Sequence, residues 1–357
     1  MVKDESKRGK RRYDLDMLRV AAIFAVIIIH HVAATLGHRP VGSGAWLVAD
    51  IIDSFMRWCV PVFVMISGAL LIRKDTYEKP MLFFKKRFNR IFIPLISWPI
   101  FYVIFHILLT HNTPTIDTFL KAILAGHPLY GTHLYFLFLI AGLYLLAPII
   151  SAYVLTVTRR QLWTVTIAIC AFTALWSVIS YIPGVGGAGL NMVTRGLPYV
   201  GYFLLGYLLK DIPLKLRHEK YYWVGFLGIG LLIALLTYGV SKSGNASNFV
   251  FYNYPTALVF LLSAMVFVLG RFLHSRVSTM AQETQARFNL IISDLAAKSF
   301  GIFLVHIMVR DLLVYIFHID QSSLTQSILI LLPFTLILSW GIVTLLRYLP
   351  KAKYFLG

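Results

Sequence analysis

Two residues of the first apolar run carry chemistry that a plain membrane anchor has no use for, Arg19 and His30. They are eleven positions apart, which leaves them about 20° apart on one face of a helix, with His30 about 16 Å deeper. Asp16 falls within about 60° of both. An imidazole at that depth, reached along a polar face, suits general acid–base catalysis or transient carriage of a transferred group. A histidine that only completes a core hydrogen bond needs no such line, so the alignment favours function. His31 points about 100° away and Asp14 lies nearly opposite His30, which leaves both off that line.

Further candidates lie along the chain. In the second apolar run, Asp53 and Arg57 stand four apart and can pair along one face, a structural rather than catalytic arrangement, with Asp50 three residues before Asp53. Pro61 then removes a helical hydrogen bond, and Ser67-Gly68 permits close packing. Phe84-Lys85-Lys86-Arg87-Phe88-Asn89-Arg90 reads as the end of a cytoplasmic loop before a third helix. Such a cluster anchors orientation; it also suits an anion, because guanidinium forks bind phosphate bidentately and a neighbouring helix start adds donors. His306 and Arg310 share a face, with Asp311 adjacent. His127, His133 and Tyr135 are expected at the outer surface, and His38, His106 and His111 are scattered. No spacing supports a metal site. Cys59 and Cys170 sit inside apolar runs and support no disulfide framework.

Residues placed this way need elements that cross a bilayer, and the composition supplies them. Of 357 residues 58% are hydrophobic and 13% charged, against roughly 25% charged in soluble domains. That excludes a soluble globular enzyme. The net charge of +18 does not call for nucleic acid, since the bases sit between long apolar runs rather than on one solvated domain. Ten runs read as spans, at 17–36, 46–72, 91–110, 134–157, 162–182, 197–209, 221–240, 254–273, 299–317 and 326–346. The sixth is short, about 20 Å of helix. Ten spans with both termini cytoplasmic place 27 of the 33 Lys and Arg inside, as the positive-inside rule asks; removing the sixth would spread the bases almost evenly. The first run, with its long basic leader and its histidines, reads as a retained helix rather than a signal peptide. The expected organisation is a basic leader at 1–16, a membrane domain at 17–348 and a short tail at 349–357. Residues 282–292 read as an amphipathic surface helix, and Gly184, Gly186, Gly187 and Gly189 as a flexible outer loop.

At these residues the sequence resembles the acyltransferase 3 family of integral membrane acyltransferases. The resemblance is carried by Asp16-Met17-Leu18-Arg19 with His30 eleven residues on, by Val60-Pro61-Val62-Phe63-Val64-Met65-Ile66-Ser67-Gly68, and by Arg87-Phe88-Asn89-Arg90-Ile91-Phe92-Ile93-Pro94. His133-Leu134-Tyr135-Phe136 leading to Leu143-Tyr144 and Pro148, and Ser299 to His306, complete it. The pattern is similar to the stand-alone branch that includes the O-acetyltransferase of enterobacterial common antigen, which lacks the extra hydrolase-like domain of other members. Phe303 stands where a tyrosine is common and Tyr135 where a tryptophan is common. These departures concern acceptor specificity rather than chemistry.

The resemblance implies a bundle of ten helices in a bacterial inner membrane, acetyl-CoA as cytoplasmic donor, and a hydroxyl acceptor on an envelope glycan or lipid-linked sugar outside. It implies His30 as the catalytic residue, with Arg19, Arg87 and Arg90 holding the donor. Lys86 is grouped with those arginines, Asp16 is expected to orient Arg19, and His306 to be a second polar group near the acyl centre. His133, Tyr135 and Ser67 are expected on the substrate side. Two chemistries fit His30, general base or acyl-carrying nucleophile. The competing class is a transporter or flippase, which also uses charges at mid-membrane, but the chain has no inverted repeat.

Overall fold

The computed structural model describes residues 11–180 and 194–356. The expected glycine loop at 184–189 and the leader bases before Arg11 lie outside the described residues. Among the described residues every regular element is helical. Nine helices are long and apolar enough to cross a membrane, and a tenth is short. In chain order these are α1 (Tyr13–His38), α2 (Gly44–Leu71), α3 (Pro80–Thr110), α4 (Thr132–Thr156), α5 (Arg159–Ile179), α6 (Leu197–Leu209), α7 (Leu216–Ser243), α8 (Val250–Val277), α9 (Gln282–Phe317) and α10 (Leu324–Leu346). The chain is an all-α integral membrane bundle.

Side-chain contacts sort the helix ends into two sets. Arg12 reaches the carbonyl of Lys210 (2.8 Å) and the carboxylate of Asp211 (3.0 Å), and Arg159 reaches the carbonyl of Leu208 (2.9 Å). The start of α1, the start of α5 and the end of α6 therefore share one end. At the opposite end Arg195, just before α6, donates to the carbonyl of Ala125 (2.7 Å), and Arg39 pairs with Asp320 (3.0 Å). The short α6 thus runs from one end to the other, as the base distribution requires. It does so against α2, backbone to backbone. A Cβ on Gly68 would stand 1.8 Å from the carbonyl oxygen of Phe203, and one on Gly206 1.9 Å from that of Met65. Glycine is required at both, and the Ser67-Gly68 expectation of close packing is realised there.

Prolines set the irregularities. The helix of α2 turns at Arg57 and Trp58, because Pro61 offers no N–H to the carbonyl of Arg57 and its ring crowds that carbonyl. Pro94 and Pro333 do the same to Arg90 and Leu329, and each follows a widened π-helical turn, at Phe88–Phe92 and Ser327–Leu331. The Thr158–Gln161 capping box starts α5. α1, α2, α4 and α8 bury most of their apolar length, whereas α5 and α10 turn Ile167 and Ile337 outward.

Two sequence expectations need correction. The basic cluster before the third helix is not a loop: α3 begins at Pro80, a favourable first helical residue, and runs through Arg87 and Arg90. The helix start expected at 91, directly after those arginines, is instead helix interior. Residues 282–292 are not a separate surface helix either, since α9 is continuous from Gln282 over 36 residues, about 54 Å at 1.5 Å per residue. After α10 a short helix, Ala352–Leu356, folds back so that Trp98 of α3 donates to the carbonyl of Phe355 (2.8 Å).

Candidate active site

Three imidazoles from three helices meet inside the bundle. His30 of α1, His133 at the start of α4 and His306 of α9 have ring centroids 5.3 Å (His30–His306), 6.1 Å (His30–His133) and 4.9 Å (His133–His306) apart. His133 is 2% exposed and His306 0%. His133 was expected at the outer surface and is instead enclosed. The reason is local: Gly131 takes a left-handed φ of 68°, and the following 3-10 turn, Thr132–Leu134, tucks the imidazole inward. There it lies edge-on to Tyr102 and Phe303, at 5.3 and 5.2 Å.

The tautomer of His306 is fixed. Its Nδ1 lies 2.7 Å from the carbonyl of Phe303, which can only accept, so Nδ1 carries the proton and Nε2 is a bare acceptor. That Nε2, and both ring nitrogens of His133, are buried and have no hydrogen-bond partner among the described residues. Each such group costs on the order of 1–3 kcal/mol to bury, and three of them lie in this one cluster. His31 provides the contrast. Its Nδ1–H donates to the carbonyl of Ile27 (2.8 Å) and its Nε2 accepts from the Thr335 hydroxyl (3.1 Å). It is a satisfied core histidine. Among the described residues no group of three or more His, Cys, Asp or Glu is disposed to hold a metal.

Two cavities approach this cluster from opposite ends. The inner one, about 380 Å³, is lined by Arg19, Arg73, Arg87 and Arg90 together with Ser67, Tyr144 and Ser299, and it ends on Phe136 and Phe303. Asp16 holds one of them, Arg19, accepting from it (3.1 Å) and from Arg11 outside the cavity (2.7 Å). The guanidinium of Arg87 lies over the Phe83 and Tyr144 rings, 5.9 Å from each centroid. The outer cavity, about 300 Å³, is lined by His30, Tyr102, His106, Tyr130, Arg310 and Asp311 among others. Phe303, which closes the inner cavity, touches His133, and His133 and His306 both touch His30, which opens on the outer one.

Arg19 and His30 therefore face two different cavities from one side of α1, as their spacing requires. Asp16 belongs with the arginines: fourteen residues, about 21 Å of helix, separate it from His30, so it is no partner of the imidazole. Ser67 lies on the inner cavity, its hydroxyl donating to the carbonyl of Phe63 (3.0 Å). Lys86 is exposed and lines a smaller recess beside Arg73, Asp75 and Arg87. Tyr135 has Tyr254, Cys59 and Arg57 around it. The Asp53–Arg57 pair is closed upon itself, with Arg57 stacked over Tyr252 at 4.3 Å and Tyr252 bonded to Asp50.

A family model described as an acyltransferase domain matches residues 12–344. The chain belongs to the acyltransferase 3 family. No curated protein and no solved structure matches it. As an acyltransferase 3 protein it needs a base for the acceptor, room for an acyl donor and access for both substrates, and the histidine cluster between two cavities offers that arrangement. Sequence reading missed Tyr102, whose hydroxyl donates to the carbonyl of Leu304 (2.9 Å) and accepts from the N–H of Met308 (3.2 Å). It also missed His106 and Tyr130, stacked with centroids 3.7 Å apart on the outer cavity. His106 falls about four turns into an apolar run and Tyr130 in a loop, and nothing in the spacing joins them.

Proposed function

We propose that this membrane acyltransferase is an O-acetyltransferase of the stand-alone branch in a bacterial inner membrane. It moves an acetyl group from cytoplasmic acetyl-CoA to a hydroxyl of an extracytoplasmic envelope glycan or lipid-linked sugar. The observation that supports this reading is the pair of cavities meeting at one histidine cluster. Four arginines and no acid line the inner cavity, which fits a nucleotide bearing several phosphate charges. A long, nearly uncharged pantetheine arm fits the space between Ser67, Tyr144 and Phe303.

The transfer breaks the thioester C–S bond and forms a new C–O bond. The acceptor hydroxyl loses its proton to a ring nitrogen, and the thiolate leaves to become the free thiol of coenzyme A by taking up a proton. His30 faces the outer cavity and takes the proton in direct transfer, or the acyl group itself in a two-step route. His306 Nε2, a bare acceptor in the same cluster, can relay that proton, which ends on the departing thiolate and returns both imidazoles to their neutral state.

The test is acetyl transfer by purified protein in lipid nanodiscs with isotope-labelled acetyl-CoA and an envelope glycan fraction. His30→Ala should lose transfer by about 10²- to 10⁴-fold, the range for a removed acid–base group, while remaining inserted and monodisperse. Near-normal transfer by that variant would sink the assignment.

A further inference from the structure

The two cavities differ in charge as sharply as in position. Four guanidinium groups with no facing carboxylate line the inner one. The outer one is lined by a single formal cation and a single formal anion, Arg310 and Asp311, and these are adjacent and paired. All three guanidinium nitrogens of Arg310 are engaged: Nε and one Nη donate to Asp311 Oδ1 (2.9 and 2.7 Å), and the other Nη donates to the backbone carbonyl of His30 (3.0 Å). Three of its five N–H donors are thus taken and its charge is offset by Asp311, so this cavity, unlike the inner one, presents no net formal charge to a carboxylate or a phosphate. The second carboxylate oxygen, Asp311 Oδ2, takes no hydrogen bond from any described residue, so a residue lining the cavity keeps acceptor capacity for a hydroxyl.

The same cavity is lined by the His106–Tyr130 stack, nearly parallel at 15°. Tyr130 is held by the turn that follows, because Gly131 packs directly on the ring of Tyr102, where a Cβ would lie 2.9 Å from its Cγ. Leu109, Leu129 and Phe105 complete an apolar side. A cavity that combines aromatic and aliphatic groups with a hydroxyl acceptor matches a molecule with an apolar ring face and a polar edge.

We propose that the acceptor enters this cavity as an uncharged sugar ring, its C–H face on the Tyr130–His106 platform and a hydroxyl on Asp311 Oδ2, and that the cavity selects against uronic acids and sugar phosphates. The proposal rests on the reading of the outer cavity as the acceptor side. If the acceptor is lipid-linked, its phosphates stay outside the cavity and the acetylated ring is a neutral one.

The test uses the full-length protein in nanodiscs and saturation-transfer NMR. The probes are the methyl glycosides of glucose, mannose, galactose and N-acetylglucosamine, set against methyl glucuronoside, methyl galacturonoside and glucose 1-phosphate. At least one neutral glycoside should receive saturation on its ring protons, with every anionic probe about tenfold weaker or more, the scale of one charge-assisted hydrogen bond. Asp311→Asn, which leaves Arg310 uncompensated, should shift the preference toward the uronosides. Asp311→Glu should retain the neutral preference, and Tyr130→Ala should lose ring saturation. Equal or tighter binding of the anionic probes, no binding of any neutral glycoside, or an unchanged preference in Asp311→Asn would overturn the proposal. If Asp311→Asn does not fold, Tyr130→Ala with unchanged ring saturation overturns it instead. A wild type that selects neutral rings while His30→Ala still transfers acetyl groups would remove the catalytic assignment and leave this one standing. Transfer abolished by His30→Ala with anionic rings preferred would do the reverse.

Discussion

The hydroxyl of Tyr102 on α3 donates to the carbonyl of Leu304 on α9 at 2.9 Å. It also accepts from the N–H of Met308 at 3.2 Å. These two backbone groups are the acceptor and donor of a single helical turn, and His306 lies inside it. A buried phenol is thus built into the turn that aims the imidazole, and its ring also packs edge-on to His133 at 5.3 Å.

Tyr102→Phe leaves the Met308 N–H and Leu304 carbonyl to bond each other, so global stability should change by less than about 1 kcal/mol. The turn should tighten and move His306. Turnover is expected to fall about ten- to a hundredfold with the donor KM nearly unchanged, the pattern of a misplaced catalytic geometry. A raised KM with normal turnover would place the role of Tyr102 in substrate binding instead.

Arg87→Ala together with Arg90→Ala should weaken acetyl-CoA binding about tenfold or more by calorimetry, as expected for lost charge-assisted contacts. Wild-type affinity should also fall with added salt. Lys86→Ala, outside the inner cavity, should change affinity by less than about twofold, as expected of an exposed charge. Equal effects from Lys86 and Arg90 would move the donor site toward the recess that Lys86 shares with Arg73 and Arg87.

Gly68→Ala and Gly206→Ala each drive a methyl group into the facing backbone of the α2–α6 crossing. Either should cost about 2–3 kcal/mol or more, because backbone cannot step aside as a side chain can. Thermal unfolding in detergent gives the measurement. Gly341→Ala, with open space around its Cβ, is the control and should be neutral or slightly stabilising as a helix substitution.

At the outer end, the Ser322 hydroxyl and backbone N–H donate to Asp320 and hold its carboxyl below the usual carboxylate range, with Arg39 adding to the effect. A carboxyl lowered in the folded state contributes stability above its ordinary pKa and loses it as pH falls through the folded value. The 318–323 turn should therefore loosen only in acid, below about pH 4. Hydrogen exchange of that turn measured from pH 7 to pH 3 checks this, and Asp320→Asn should abolish the pH dependence.

What the sequence disclosed followed from helical period and charge. Arg19 and His30 share a face because α1 is one unbroken helix, and the short sixth span was required by the distribution of bases. The start of α3 was misread because Lys85 to Arg90 looks like a loop by charge, although Lys and Arg are good helix formers and Pro80 marks a first turn. His133 was misplaced because a left-handed glycine, not a period, turns it inward. Tyr102, His106 and Tyr130 gain their roles only when α3 packs on α9 and on the turn before α4, and no local rule connects them.

Among the described residues, Phe303 and the imidazoles behind it stand between the inner cavity and the outer one. In the transfer proposed above, the acetyl group passes one way between the cavities while the hydroxyl's proton passes the other way to the thiolate. No net charge then crosses, and the resting potential, worth about 2.3 kcal/mol per charge at 100 mV, does no net work on the reaction. Modification of the outer face would then run at the same rate in an energised and a depolarised cell, driven by the thioester alone.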